Sequence, residues 1–348
     1  MLSGVQMLND TLKIINQGFY IKNGKTVNLK YASEQLRQIK VLLPDDVTQI
    51  CNKNDLKQVS FSGRCGHSCQ NMDSFALARS VYDSYSFDFR YKESNGILVL
   101  NLANPVNPGG GVRRGARAQE EDLCRKSSLL LSLESEEAQK YYSYNRAQKT
   151  YLGTDAMMLT PAVEIIRDEN GELLDETVVV SVLTCADPLV RYGKEGLSEQ
   201  EYRDMVYNRM VKMLKCSACF GYKHLVLGAW GCGAFGNDAK VISDLFYKAL
   251  KELEYCKMRE NDLFRRIDFA VLDRTQEQYN FKEFQRNFAQ ENFYRDEDEN
   301  RDNEMIVKIK ETIKEKEKHL DKIRGCLFGG AVGDALGYPV EFYDERTI

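Results

Sequence analysis

The run Ile97-Leu-Val-Leu-Asn-Leu102, continued by Ala-Asn104-Pro-Val-Asn107-Pro-Gly109-Gly110-Gly111-Val-Arg-Arg-Gly-Ala-Arg-Ala-Gln119-Glu120-Glu121, decides how the rest of the chain is read. An apolar run of this length, ended by turn residues, is what a strand buried on both faces requires. The triple glycine after it lets backbone N–H groups approach a ligand closely, because no Cβ stands in the way. Two neighbouring carboxylates then open a helix. Anion-accommodating backbone beside a carboxylate pair suits acid/base chemistry on a phosphate-bearing sugar. A glycine turn before a solvated acidic helix start is the plainer alternative, and a common one.

Strand and helix signals alternate on either side of this segment. Val5 to Gly18 has helical spacing through Met7, Leu8, Leu12 and Ile15 and stops at a glycine. Residues 21–60 are mixed, with a short strand expected over Val59–Ser62. Met72 to Val81 reads as a helix capped by Asp73 or Ser74. Gln119 to Leu133 is expected to be one helix, with Leu123, Leu129 and Leu130 facing inward. Thr177–Leu183 is β-branched and apolar, as a central strand requires. Ser198 and Glu201 form a capping-box signature, and the helix after them aligns Tyr202, Val206, Met210, Met213 and Ser217. His224–Gly228 is another buried strand. A helix from about Asp238 to Leu253 aligns Val241, Leu245, Ala249 and Leu253, and Ile267–Leu272 is the last strand. The class is α/β: a mixed or mostly parallel sheet sandwiched by helices, with an N-terminal helical extension, ending near residue 290.

Beyond that point the composition changes. Residues 291–322 are expected to be a charged helical linker, with a thin apolar stripe (Ile306, Ile309, Ile313, Leu320) along Met305–Leu320. Residues 323–348 turn abruptly glycine-rich and apolar, as if opening a further domain that is cut short. Over 348 residues the formal charge is −4, which offers no general attraction to nucleic acid or an anionic membrane. No apolar run approaches the ~20 residues of a membrane helix, and no signal-peptide pattern opens the chain. Ten scattered cysteines suggest reduced thiols and a cytoplasmic protein.

Ligands of open α/β sheets bind beyond the carboxyl ends of strands. Two glycine loops fit that position, 104–116 and 228–237. In the second, the backbone of Gly231, Cys232, Gly233, Ala234, Phe235 and Gly236 offers a cradle for a diphosphate. Trp230 and Phe235 are placed to border a ribose or base. Neither loop matches the P-loop or the dinucleotide fingerprint. Cys65-Gly-His67-Ser-Cys69, helped by Cys124, has zinc-ligand residue types at a spacing that fits no common finger, so packed thiols are the plainer reading. Cys216-Ser-Ala-Cys219 lies in a helical pattern and is expected to pack. His67, His224 and His319 show no acid/base partner in the sequence.

These residues together carry a family likeness. Leu-Asn-Leu-Ala-Asn104-Pro-Val-Asn107-Pro-Gly-Gly-Gly111, then Gln119-Glu120-Glu121, resembles the signature of bacterial-type poly(ADP-ribose) glycohydrolases, which are macrodomains. The Asp10-Thr-Leu helix with Gly18-Phe-Tyr, the Asp73-Ser-Phe-Ala-Leu-Ala helix, Leu123-Cys-Arg-Lys-Ser-Ser, Leu227-Gly-Ala-Trp-Gly-Cys-Gly-Ala-Phe-Gly-Asn and Phe269-Ala-Val-Leu-Asp are similar to family blocks in family order, over roughly residues 1–290. One departure is Thr184-Cys-Ala-Asp187-Pro, where an Ala-Pro-Asn-like end is expected. Arg324-Gly-Cys-Leu-Phe-Gly-Gly-Ala-Val-Gly-Asp334-Ala-Leu-Gly resembles the first helix of the ADP-ribosylglycohydrolases, an unrelated metal-dependent fold whose Asp-Asp metal segments are not in this chain.

The resemblance implies hydrolysis of ribose–ribose bonds in poly(ADP-ribose) without a cofactor or metal. Its partners are an ADP-ribose polymer or an ADP-ribosylated protein. Glu121 is the candidate general acid and base, with vicinal charge and burial expected to raise its pKa. Glu120 is expected to hydrogen-bond ribose hydroxyls and position the sugar. Gly109, Gly110 and Gly111, with the 231–236 backbone, would hold the diphosphate. Asn104 and Asn107 would contact the ribose or cap the turn, Gln119 would order the loop or the substrate, and Asp73 would touch adenine or cap its helix. A hydrolase of single ADP-ribose units, on protein or nucleic acid, and a non-catalytic ADP-ribose reader are the alternatives. The Gln-Glu-Glu run argues against a reader, which needs only the loops.

Overall fold

The strand β5 (Ile97–Leu102) is central in a seven-stranded sheet. The order is β3 (Lys40–Leu42), β6 (Met157–Arg167), β7 (Leu173–Cys185), β5, β8 (His224–Gly228), β9 (Arg266–Ala270) and β4 (Gly66–Gln70). This computed structural model describes residues 3–52, 65–84, 96–252 and 264–289. All of them lie in the first of the two units into which the chain divides, Met1–Phe293 and Tyr294–Ile348. The expected strand at Val59–Ser62, the end of the helix at Leu253, the linker helix 305–320 and the segment 323–348 fall outside the described residues.

Five neighbouring strands, β7, β5, β8, β9 and β4, run parallel, while β6 runs antiparallel to both β7 and the edge strand β3. The sheet is therefore mixed, as expected. Ile97 and Val99 alternate with Leu98 and Leu100, and all four are buried, so both faces of β5 are covered. Helices α3 (Pro44–Asn52), α8 (Glu199–Cys219), α9 (Ala239–Glu252) and α10 (Tyr279–Phe288) pack successively on one another. There Trp230, Phe246, Phe269, Phe284 and Phe288 form an aromatic cluster, with Phe269 and Phe288 stacked at 4.0 Å. A second group gathers α1 (Gly4–Gln17), α2 (Ala32–Arg37), α4 (Ser74–Ser84), α5 (Gln119–Lys126) and α6 (Leu129–Leu133). The short α7 (Gln139–Gln148) lies by β3, and β1 (Phe19–Lys22) with β2 (Lys25–Asn28) forms a separate hairpin. Among the described residues no helix is long and apolar enough to cross a membrane.

Local signals account for most helix limits. Ser3 and Gln6 cap α1 reciprocally, and Gly18, at φ 78°, ends it. Ser198 and Glu201 do the same for the start of α8. The helix expected over Gln119–Leu133 is in fact two. Ser127 is extended and bridges Ile165, and the Ser128 N–H donates to the Glu164 carbonyl (3.0 Å). Serine side chains compete with the helix here: Ser127 Oγ bonds the Leu123 carbonyl (2.8 Å), and Ser128 Oγ accepts from the Glu164 N–H (2.9 Å). Strand β6 has no counterpart in the sequence analysis. Pro161 interrupts its apolar run, and Ala162, at φ 58°, bulges between Thr160 and Val163.

Glu164 on β6 is wholly buried, and its carboxylate accepts from the N–H groups of Lys30 (3.0 Å) and Tyr31 (3.0 Å) and the hydroxyl of Thr177 (3.2 Å). It thus ties the segment before α2 to the sheet. Glu164→Ala strands these donors and is expected to cost about 3 kcal/mol, with Glu164→Gln milder. Urea unfolding midpoints of both variants check this, and equal midpoints would contradict it.

Candidate active site

Both glycine loops and Asp187 lie at one end of the sheet, because β7, β5 and β8 are adjacent and parallel. Here β5 has β7 directly on one side, with β6 beyond it, and β8 on the other, the arrangement that opens a ligand crevice in doubly wound sheets. Glu120 and Glu121 occupy the first turn of α5, yet both are buried (3% and 7% exposed). A solvated helix start is thereby excluded.

The carboxylates fold back onto their own loop. Glu120 accepts the Asn104 N–H (2.9 Å) and the Asn101 amide (3.2 Å), and Glu121 Oε1 accepts the Gly111 N–H (2.8 Å). Glu121 Oε2 is buried and has no hydrogen-bond partner among the described residues. Gly110, at φ 59°, passes between the two acids: a Cβ there would sit 2.5 Å from Glu121 Oε1 and 3.1 Å from Glu120 Oε2. Gly109, also at positive φ, is packed against Leu130, Cys124 and Val112. The N–H groups of Gly110 and Gly111 are thus engaged within the loop, by the Asn107 carbonyl and by Glu121.

Other expected site residues shape this loop. Asn104 Oδ1 accepts the N–H groups of Val106 (2.9 Å) and Asn107 (2.8 Å), which closes the turn. Gln119 bonds the Leu100 carbonyl (2.7 Å), the Leu102 N–H (2.9 Å) and the Ser74 hydroxyl (3.0 Å), so it clamps α5 to the end of β5 and to α4. Asp73 caps α4 through the Ala76 N–H (2.9 Å) and pairs with Lys126 (3.3 Å). Asn101 was missed by the sequence analysis, although an amide inside an apolar strand is itself a signal. Among the described residues no group of three His, Cys, Asp or Glu side chains is gathered to hold a metal.

The second loop is built differently. Among the described residues the N–H groups of Gly233, Ala234 and Phe235 have no acceptor, and Gly233 is exposed. Three consecutive donors before the start of α9 are thus left unspent, the kind of backbone from which anion nests are built. Trp230, expected at the ligand, is instead fully buried against Phe246 and donates Nε1–H to the Cys185 carbonyl (3.0 Å). It anchors the loop from beneath, while Phe235 stays half-buried and its carbonyl accepts from Val190 and Arg191 (both 3.0 Å). Asn237 bonds the carbonyls of Gly231 (3.2 Å) and Pro188 (2.8 Å).

Asp187, the departure noted in the sequence, lies between two held carbonyls. Arg209 donates to Ala186 (3.1 Å), and Asn237 donates to Pro188. The Asp187 carboxyl is thereby pressed against Gly231, where a Cβ would fall 1.9 Å from Oδ2. Both its oxygens are buried and have no hydrogen-bond partner among the described residues. Burial holds it well above the usual carboxylate range, opposed by the charge of Arg209.

Burial also pushes the Glu120 carboxyl up to about 8. The Asn104 and Asn101 hydrogen bonds pull it down, and the charge of Glu121 adds to the rise. A carboxyl raised in the fold contributes stability below its unfolded value, and that contribution is lost as pH rises through the folded one. Conformational stability is therefore expected to fall between pH 4.5 and about 8 more steeply in the native chain than in Glu120→Gln. Urea midpoints across that range read the difference, and parallel curves would refute it.

The family description of the microbial-type PARG catalytic domain matches residues 9–168, and that of the ADP-ribosylglycohydrolase matches residues 315–348. The comparison with curated proteins finds no match. The poly(ADP-ribose) glycohydrolase of Deinococcus radiodurans in complex with ADP-ribose is 31% identical, with a TM-score of 0.63, over 75% of this chain and 98% of that one. The poly(ADP-ribose) glycohydrolase of Thermomonospora curvata bound to the inhibitor ADP-HPD is 26% identical, with a TM-score of 0.70, over 82% of this chain and 99% of that one. A further structure of the Thermomonospora curvata enzyme superposes with a TM-score of 0.72 at 26% identity. With its mixed sheet, its buried acidic pair and these matches, the chain belongs to the microbial-type poly(ADP-ribose) glycohydrolase family and is a glycosidase.

Proposed function

We propose that the chain hydrolyses the ribose–ribose O-glycosidic bonds of poly(ADP-ribose), releasing ADP-ribose, with Glu121 as general acid and base. The observation that carries this reading is the Glu121 carboxyl itself. One oxygen is fixed by the Gly111 N–H, and the other is buried with no hydrogen-bond partner among the described residues, so its capacity to donate or accept a proton is unspent. Glu120 has both oxygens occupied by the Asn101 amide and the Asn104 N–H, which suits positioning. Burial, which holds the Glu120 carboxyl up at about 8, favours its protonated form at neutral pH. Glu121 delivers a proton to the departing 2′-oxygen as the anomeric carbon gains oxocarbenium character, then takes one from the attacking water.

The free N–H groups of Gly233, Ala234 and Phe235 hold the diphosphate, and the 104–111 loop holds the acids. This divides the two loops into an anion nest and a carboxylate cradle within a macrodomain-like unit spanning residues 1–290. Residues 291–322 link it to a segment, 323–348, that is similar to the start of an ADP-ribosylglycohydrolase. Substrates are the polymer or ADP-ribosylated protein, met in the cytoplasm.

Glu121→Gln is expected to keep ADP-ribose affinity within a few-fold and to lose about a thousandfold in turnover. Calorimetry with ADP-ribose and release of ADP-ribose from defined polymer measure the two. A Glu121→Gln enzyme of native activity would sink the assignment, and cleavage of mono-ADP-ribosylated substrate alone would favour the single-unit hydrolase. Gly110→Ala adds a methyl against both acids and is expected to lower kcat about a hundredfold, with little change in ADP-ribose affinity.

A further inference from the structure

Helix α8 supports the second loop from its first turns, through Tyr202 on Asn237 and Arg209 on the Leu152 and Ala186 carbonyls. Its last turn carries Cys216, which is fully buried and lies against α3. Cys51, near the end of α3, reaches the part of α8 that carries Cys216. Cys51 in turn donates to the Lys212 carbonyl (3.8 Å), one turn before Cys216 on the same helix. Two cysteines 165 positions apart thus meet across a helix–helix contact, with Cys51 only half-buried and reachable from solvent. Neither takes part in the chemistry proposed for Glu121.

We propose that Cys51 and Cys216 form a reversible disulfide that latches α3 to the C-terminal turn of α8 under peroxide. Thiols brought to one helix–helix contact reach S–S bonding geometry, at ~2.05 Å, through side-chain rotation. The order of reaction follows from their surroundings. The hydrogen bond from Cys216 lowers the Cys51 thiol below the ordinary thiol range, burial opposes this, and Lys215 and Lys212 add to the lowering. The same contact, with burial, raises Cys216. Cys51 is therefore the attacking thiolate and Cys216 the resolving thiol. The Cys51 sulfur attacks a peroxide oxygen, the O–O bond breaks, and sulfenic acid and hydroxide form. Cys216 sulfur then attacks the sulfenic sulfur, the S–O bond breaks, and the Cys216 proton leaves with that oxygen as water. Two thiols lose two electrons and the peroxide becomes two waters. A small dithiol reverses the step.

The test treats the full chain with hydrogen peroxide and maps its peptides by mass spectrometry without reduction. The expected product is one Cys51–Cys216 cross-linked peptide pair, two hydrogens lighter than the reduced peptides. The oxidised protein is expected to melt several degrees higher than the reduced one, because the link closes a long loop of the unfolded chain, and dithiothreitol should return it. Cys51→Ser, at the half-buried position, should abolish the link and the melting shift, whereas Cys219→Ser should leave both intact. A link from Cys51 to Cys219, a persistent Cys51 sulfenic acid trapped by dimedone, or unchanged thiols would each overturn the proposal. The wild-type peptide map decides the matter even where a variant folds poorly.

Discussion

Two carboxylates turned back into the loop that precedes them are the constraint on which the site depends. Placing Glu120 and Glu121 in the first turn of α5 puts them near backbone N–H groups, but an ordinary helix start leaves such side chains in water. Here the loop supplies the missing shell: the N–H of Asn104 to one acid, the N–H of Gly111 to the other, and the amide of Asn101 from the strand. A buried carboxylate needs that many donors to be tolerated. The glycines follow from this, since Gly110 must run between the two acids where no side chain fits. Gln119, the clamp of α5 on β5, then transmits the position of the sheet to the acids.

The supports of the second loop come from far along the chain. Trp230 reaches beneath to the Cys185 carbonyl, and Asn237 joins the Pro188 and Gly231 carbonyls. Arg209 on α8 fixes the Ala186 and Leu152 carbonyls and pairs with Asp155 (3.0 Å). The N–H groups of Gly233, Ala234 and Phe235 stay unspent among the described residues, and they are the donors to which the proposed function gives the diphosphate. The two loops therefore differ in hydrogen bonding despite similar composition. One spends its donors on its own acids, and the other leaves three of them unspent among the described residues.

Much of this was readable from residue order. Buried strands β5 and β8 announce themselves as apolar runs, and α1 and α8 by their capping residues. The Gly-Gly-Gly and Gln-Glu-Glu pattern puts the acids at a helix start, where the structure has them beside the glycine turn, because strand, turn and helix start are close in sequence. What escaped depended on distant partners. The break between α5 and α6 arises from pairing with β6, and β6 hides behind Pro161. Trp230 looked like a ligand-facing aromatic because its partners, Phe246 and the Cys185 carbonyl, lie elsewhere in the chain. For Asn104 and Gln119 the sequence leaves turn capping and loop ordering open beside a substrate contact, and three-dimensional neighbours make them a turn and a clamp.

The pressing of Asp187 against Gly231 has a consequence for how the chain can change. Position 231 is barred from any side chain by the carboxyl as well as by its own φ of 71°, and position 187 can grow no larger without displacing the loop. The two sites form a single volume shared between a strand end and a nest. Relatives are expected to alter them together, a smaller residue at 187 accompanying any relaxation at 231. Drift at this spot is thereby confined to paired steps, while the outward-facing positions 233 and 234 vary independently of it.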